Sequence, residues 1–129
     1  MEELFKWGFN DTDIKDIISR NEELLNIKNE DINKLLGILI YIGCDKNIIR
    51  HIIISNPFYL NRMEDDVFKL IKKLLSIGIK DLDLLFESNP FVLNKDDIEI
   101  DEFINEKINK GMNMDEILEI IETDSFSEV

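Results

Sequence analysis

Ser55-Asn56-Pro57-Phe58-Tyr59-Leu60-Asn61 returns almost unchanged as Ser88-Asn89-Pro90-Phe91-Val92-Leu93-Asn94, with only the fifth residue altered. A fainter version, Ser19-Arg20-Asn21-Glu22-Glu23-Leu24-Leu25-Asn26, lies upstream. Self-similarity at a fixed period marks a chain built by repeating one structural unit. Four glycines set that period: Gly8, Gly43, Gly78 and Gly111 are 35, 35 and 33 residues apart. Each follows an apolar run at helical spacing and comes just before a polar cap, where a left-handed turn would close one helix before the next opens. The units therefore read as 1–7 (partial), 8–42, 43–77, 78–110 and 111–129 (a partial unit or cap).

Within a unit the pattern is helix, break, helix. In the first full unit Asn10 is placed to cap a short helix with Ile14, Ile17 and Ile18 on one face. After the break at Asn21, Leu24 and Leu25 are expected to turn inward. Asn29 is placed to cap a second helix, in which Ile32, Leu35, Leu36, Leu39 and Ile40 fall at i, i+3, i+4, i+7 and i+8. The second unit repeats this with Asp45 as cap and Ile48, Ile49, Ile52 and Ile53 as its stripe. Pro57 lacks an amide donor and pushes Asn56 out of the helical region, so it ends that helix. Phe58 and Leu60 are expected to plug the gap between helices, as are Phe91 and Leu93 after Pro90. The following helices are expected to bury Val67, Leu70, Ile71, Leu74 and Leu75, then Ile100, Phe103, Ile104 and Ile108. In the shorter third unit Leu82, Leu84, Leu85 and Phe86 carry the first helix. Asn113 and Glu116 form a capping-box spacing ahead of an acidic last helix, and Ser125 to Val129 are expected to fray. The fold class this predicts is all-α: a right- or left-handed superhelical stack, an α-solenoid, of about three and a half helix–turn–helix units in one domain spanning 1–129. A lone unit buries too little apolar surface to offset the entropy of ordering its backbone, so the units must stack.

Composition narrows the function classes. The net charge of −13 argues against a surface made wholly for phosphates, which takes clustered Lys and Arg. Residues 43–77 are the exception, with six basic and four acidic side chains against nine and 24 elsewhere. Lys46, Arg50, Arg62, Lys69, Lys72 and Lys73 are thus the candidate contacts for an anionic ligand, with a solvated helix face as the plainer reading. Apolar runs stop short of the ~18 residues of a membrane span, and Met1-Glu2-Glu3-Leu4 does not open like a signal peptide, so no membrane association and a cytoplasmic location are expected. The single cysteine, Cys44, suits a reducing compartment.

Three motifs invite sharper readings and each has a plainer one. Asn56-Pro57-Phe58 and Asn89-Pro90-Phe91 match a tripeptide that some endocytic adaptor domains recognise, but both copies occupy one place in the repeat. Cys44 and His51, seven apart, would share a helical face as nucleophile and base, yet no third group completes them. Asp96, Asp97, Glu99, Asp101 and Glu102 suggest a calcium loop, but the glycine and glutamate such a loop needs are Glu102 and Ile108, and a helix start is favoured. No nucleotide loop, zinc spacing or serine elbow occurs. No enzyme and no cofactor are expected.

The unit of glycine and hydrophobe, short Ile-x-x-Ile-Ile helix, proline with aromatic and leucine, and longer leucine-rich helix resembles the repeat of the mitochondrial transcription termination factor family. Gly43 to Ile77 matches best and Gly78 to Asn94 next. That resemblance implies two helices and a 3-10 turn per unit in a curved superhelix, and a groove that binds nucleic acid. The matched residues are packing positions, and Glu22 stands where the first unit should have proline. The leading expectation is a binding module for another protein, with a basic partner favoured by the acidic first and last units. Nucleic-acid binding through the second unit is the alternative, and an acidic nucleic-acid mimic a third.

Overall fold

The structure, a computed structural model, describes residues 2–123; the expectation for Ser125 to Val129 lies outside the described residues. All regular structure among them is helical. The chain divides into two compact units, one ending at Glu64 and one beginning at Asp65.

The first unit holds α1 (Glu2–Lys6), α2 (Asp11–Arg20), a 3-10 segment (Glu22–Asn26), α3 (Asn29–Tyr41), α4 (Lys46–Ser55) and a second 3-10 segment (Pro57–Asn61). Helix α1 packs on α3, α2 on α4, α3 on α4 and on Pro57–Asn61, and the two 3-10 segments pack on each other. Its core includes Leu4, Ile17, Leu24, Leu36, Leu39 and Ile52, all fully buried. The second unit holds α5, which starts at the dividing residue (Glu64–Ser76), α6 (Leu82–Ser88), a third 3-10 segment (Pro90–Asn94), α7 (Asp97–Asn109) and α8 (Met114–Glu122). There α6 packs on Pro90–Asn94 and α7 on α8, around Val67, Leu74, Phe86, Leu93, Ile100 and Ile117.

The four glycines end α1, α3, α5 and α7 in one geometry. Their φ values are 96°, 109°, 110° and 89°, a region that L side chains rarely adopt. The amide after each glycine reaches back five residues: Phe9 to Leu4 O, Cys44 to Leu39 O, Ile79 to Leu74 O and Met112 to Lys107 O, at 2.9–3.1 Å. This is the Schellman closure, which satisfies carbonyls left over at a helix end. Phe9, Cys44 and Ile79 are each buried beneath the turn they close.

The next helix in each case starts from an Asx residue. Asn10 accepts from the Asp13 N–H at 2.8 Å, Asp45 from Ile48 at 2.8 Å and Asn113 from Glu116 at 2.9 Å, as expected. Lys28, not Asn29, stands at the N-cap of α3, because Asn29 is already the first helical residue.

The short helices α2, α4 and α6 stop on a buried asparagine of nearly constant backbone: Asn21 at φ −145°, ψ 79°, Asn56 at −138°, 75° and Asn89 at −139°, 72°. Asn21 Nδ2 donates to Pro57 O (3.1 Å) and Asn61 Oδ1 (3.0 Å), and Asn61 Nδ2 donates back to Asn21 Oδ1 (3.1 Å). Asn89 Nδ2 donates to the carbonyls of Ile121 and Thr123 at 3.2 and 2.6 Å. In both units a side-chain amide thus fastens one repeat to the end of the following short helix or to the 3-10 segment beyond it.

Several apolar residues expected inside lie outside. Phe58 and Phe91 are 51% and 43% exposed, while Tyr59, Leu60, Val92 and Leu93 are buried. With three residues per turn the first and fourth residues of the segment share one face, and the second and third point to two others. The core covers the first, third and fourth and the second is left toward solvent, as Pro57, Tyr59 and Leu60 buried and Phe58 exposed show. Pro57 and Pro90 are buried with the third and fourth. Leu25 is exposed and only Leu24 is buried. Ile40, Leu75 and Ile108 are also exposed, because i+8 lies about 80° from the stripe's first residue and falls on its flank. In the third repeat Leu84 is exposed and Leu85 and Phe86 are buried. Helix α6 has seven residues where α4 has ten. Gly78 to Asn89 is two residues shorter than Gly43 to Asn56, so the buried positions keep their distance from the asparagine rather than from the glycine, and Leu84 falls off the stripe. Leu60→Ala should therefore cost about 2–5 kcal/mol in chemical denaturation, and Phe58→Ala about 1 kcal/mol or less.

Candidate functional site

Of the six basic candidates, the first unit carries Lys46 and Arg50 on α4 and Arg62 directly after the 3-10 segment; the second carries Lys69, Lys72 and Lys73 on α5. Lys46, Lys69 and Lys72 are exposed, and Arg62 is half-buried, with its N–H bonded to Tyr59 O at 3.0 Å. Lys73 and Arg50 are engaged by aspartates. Lys73 Nζ stands 2.9 Å from Asp101 on α7. Arg50 grips Asp13 with both arms, Nε to Oδ2 at 2.9 Å and Nη2 to Oδ1 at 2.7 Å.

The Asp13–Arg50 pair was not legible as a contact in the sequence, where Asp13 reads as one solvated acid among several at the start of α2. Its signal is the Asn10-x-x-Asp13 spacing. Asp13 Oδ2 accepts the Asn10 N–H at 3.2 Å, which turns the carboxylate back along the helix end and presents it to α4. The carboxyl is held below the usual aspartate range by the hydrogen bonds from Arg50; burial opposes this, and the Asn10 N–H and the charge of Arg50 assist. Arg20 on the same helix donates to the carbonyl of Ile54 at the end of α4, so α2 and α4 are clasped at both ends. These two arginines fix repeat to repeat.

Tyr59 is the fifth residue of the opening motif and the point at which its two copies differ. Its ring is buried, its hydroxyl donates to Leu35 O at 2.6 Å, and burial pushes its phenol well above the usual range. Cys44 precedes α4 and lies buried under the Gly43 turn, while His51 is exposed on α4, so the two do not share a helix face as expected. Residues 97–109 are helical, as favoured over a calcium loop. No group of three or more His, Cys, Asp or Glu among the described residues is placed to hold a metal ion. A depression of about 200 Å³ lined by Ile79, Asp81, Leu84, Leu85, Ser88 and Glu122 is smaller than ordinary small-molecule sites.

The regular surface feature is apolar. Phe5, Ile40, Leu75 and Ile108 each stand three residues before a repeat glycine and are each 45–50% exposed. In the first unit Phe5 and Ile40 belong to the packed pair α1 and α3, joined by Tyr41, 84% exposed, and Trp7, whose indole N–H donates to Asn33 Oδ1 at 3.1 Å. Gly37 lies on the same face of α3, one turn after Asn33, and nothing stands within 4 Å of where its Cβ would be.

The sign of the Asp13 effect fixes its pH dependence. A depressed folded pKa contributes stability that is complete above the unfolded value of about 3.9 and is lost as pH falls through the lower folded value. Thermal unfolding followed by circular dichroism should show Asp13→Asn less stable than the parent at pH 7, with the difference shrinking on acidification below about pH 4. No protein-family model matches the sequence, and no curated protein or solved structure is significantly similar to it.

Proposed function

We propose that this chain is a non-enzymatic α-helical repeat module that binds another protein. The observation that carries the reading is the half-exposed hydrophobe three residues before each of the four repeat glycines: Phe5, Ile40, Leu75 and Ile108. Single exposed apolar residues are ordinary. Recurrence at one register gives each of the two compact units apolar contact points that a partner can read. Beside it, the polar chemistry found in the two units (Arg50 on Asp13, Arg20 on Ile54 O, Lys73 on Asp101, the asparagine amides) joins helix to helix. The proposal includes the continuation of these repeats as an α-solenoid in a cytoplasmic protein with no membrane association. Among the described residues no helix is long and apolar enough to cross a membrane.

Nucleic-acid binding, which the resemblance to the mitochondrial transcription termination factor repeat implies, is the second reading and rests on the exposed Lys46, Lys69 and Lys72. Arg50 and Lys73 already face carboxylates, which leaves fewer cations for phosphates. Mobility shifts with duplex DNA and RNA at low and physiological salt decide between the readings. The expected result is no retardation at either salt; retardation at low salt that Lys69→Glu with Lys72→Glu abolishes would replace the protein-binding reading. In the matching affinity experiment against purified basic proteins, replacing Phe5, Ile40, Leu75 and Ile108 by Glu should abolish retention.

A further inference from the structure

Gly37 is a glycine inside a helix for which the fold shows no packing reason. A glycine inside a helix costs about 1 kcal/mol relative to alanine, and a packed neighbour usually explains it. Here the added Cβ would meet nothing within 4 Å, and the φ of Gly37 is not in the left-handed region. The same register carries Lys72 in α5 and Asn105 in α7, so a side chain is compatible with the position. Of its neighbours one turn away on α3, Ile40 and Tyr41 are exposed and apolar, Lys34 is paired with Glu30, and Asn33 holds Trp7; the packed helix α1 adds the half-exposed Phe5. Trp7 is anchored by its bond to Asn33, one turn before Gly37 on the same face.

We infer that this notch on α3 is the seat of a crossing amphipathic helix with basic flanks, supplied by the partner protein. Absence of a side chain lets a second helix approach α3 more closely than the usual 8–10 Å between axes. Phe5, Trp7, Ile40 and Tyr41 then cover its apolar stripe. The basic flank follows from charge. Residues 2–64 hold 11 acidic and eight basic side chains, and while Glu3 and Glu30 are paired with Lys6 and Lys34, Glu2 and Asp31 stand exposed on α1 and α3. A second copy of this chain is the poorer occupant, because it brings −13 against −13. The inference rests on the protein-binding reading and names its site and partner chemistry.

Trp7 is the only tryptophan in the chain, so the site carries its own probe. The full-length protein is titrated with a synthetic helix of leucine and lysine alone, about 14 residues and roughly 21 Å long, enough to span two adjacent helices. The peptide is end-labelled for anisotropy and a leucine–glutamate peptide serves as control. Saturable binding with a blue shift of Trp7 emission, weakened by salt and absent with the control, is expected. Gly37→Leu should weaken binding at least tenfold. Gly37→Ala, which adds a methyl where there is room and removes a helix penalty, should raise Tm by about 2–6 °C, so loss of binding in these variants cannot be misread as unfolding. No Trp7 response, equal binding of the control peptide, or unchanged affinity in Gly37→Leu overturns the notch. A peptide that binds by anisotropy without moving Trp7, and is lost on Leu75→Glu with Ile108→Glu, overturns the notch while the protein-binding reading stands. A Trp7 shift on concentrating the protein alone, lost in Gly37→Leu, would give the notch to a second copy instead.

Discussion

Everything in this fold depends on stopping a helix and restarting the chain without leaving backbone carbonyls unsatisfied. The four i→i−5 bonds after Gly8, Gly43, Gly78 and Gly111 do so in one geometry. Glycine is required because the turn needs positive φ, and a buried side chain follows at Phe9, Cys44 and Ile79 because the turn folds back onto the helix it ends. Two or three residues later an Asx residue stands at the start of the next helix, and at Asn10, Asp45 and Asn113 its side chain caps it. The spacing of these stops sets the length of the unit, and the length sets which residues meet.

The second device is the corner between the helices of a unit. A proline alone would end a helix, but at Asn56 and Asn89 a buried amide precedes it, in the same backbone conformation as Asn21, which has glutamate after it instead. The corner is therefore specified by asparagine, with proline as reinforcement. The reason is chemical: an amide can donate to carbonyls of the following repeat, as Asn21 does to Pro57 and Asn89 to Ile121 and Thr123, and proline cannot. The bonds that these buried amides donate hold neighbouring repeats in one register.

Polar contacts across repeats, with Asp13–Arg50 the clearest, consume charges that composition alone would assign to a ligand. The fold also leaves on the surface one half-exposed hydrophobe before each repeat glycine and, on α3, an unexplained glycine near aromatic rings. These are the grounds for reading the protein as a binder of protein.

The repeat period, the helical class, the glycine stops and most capping residues were legible in the sequence, because each depends on residues within about one helical turn of one another. The rim of every helix was not. Ile40, Leu75 and Ile108 sit at i+8, where periodicity cannot tell core from flank, and Phe58 and Phe91 point outward because a 3-10 turn rotates side chains differently from an α-helix. Asp13 meeting Arg50, 37 residues away, and Tyr59 meeting Leu35 O, 24 residues away, were decided by how neighbouring repeats pack. Local order follows from local sequence; which charges are neutralised and which apolar residues stay exposed follow only from the tertiary structure, since both depend on what lies against each face.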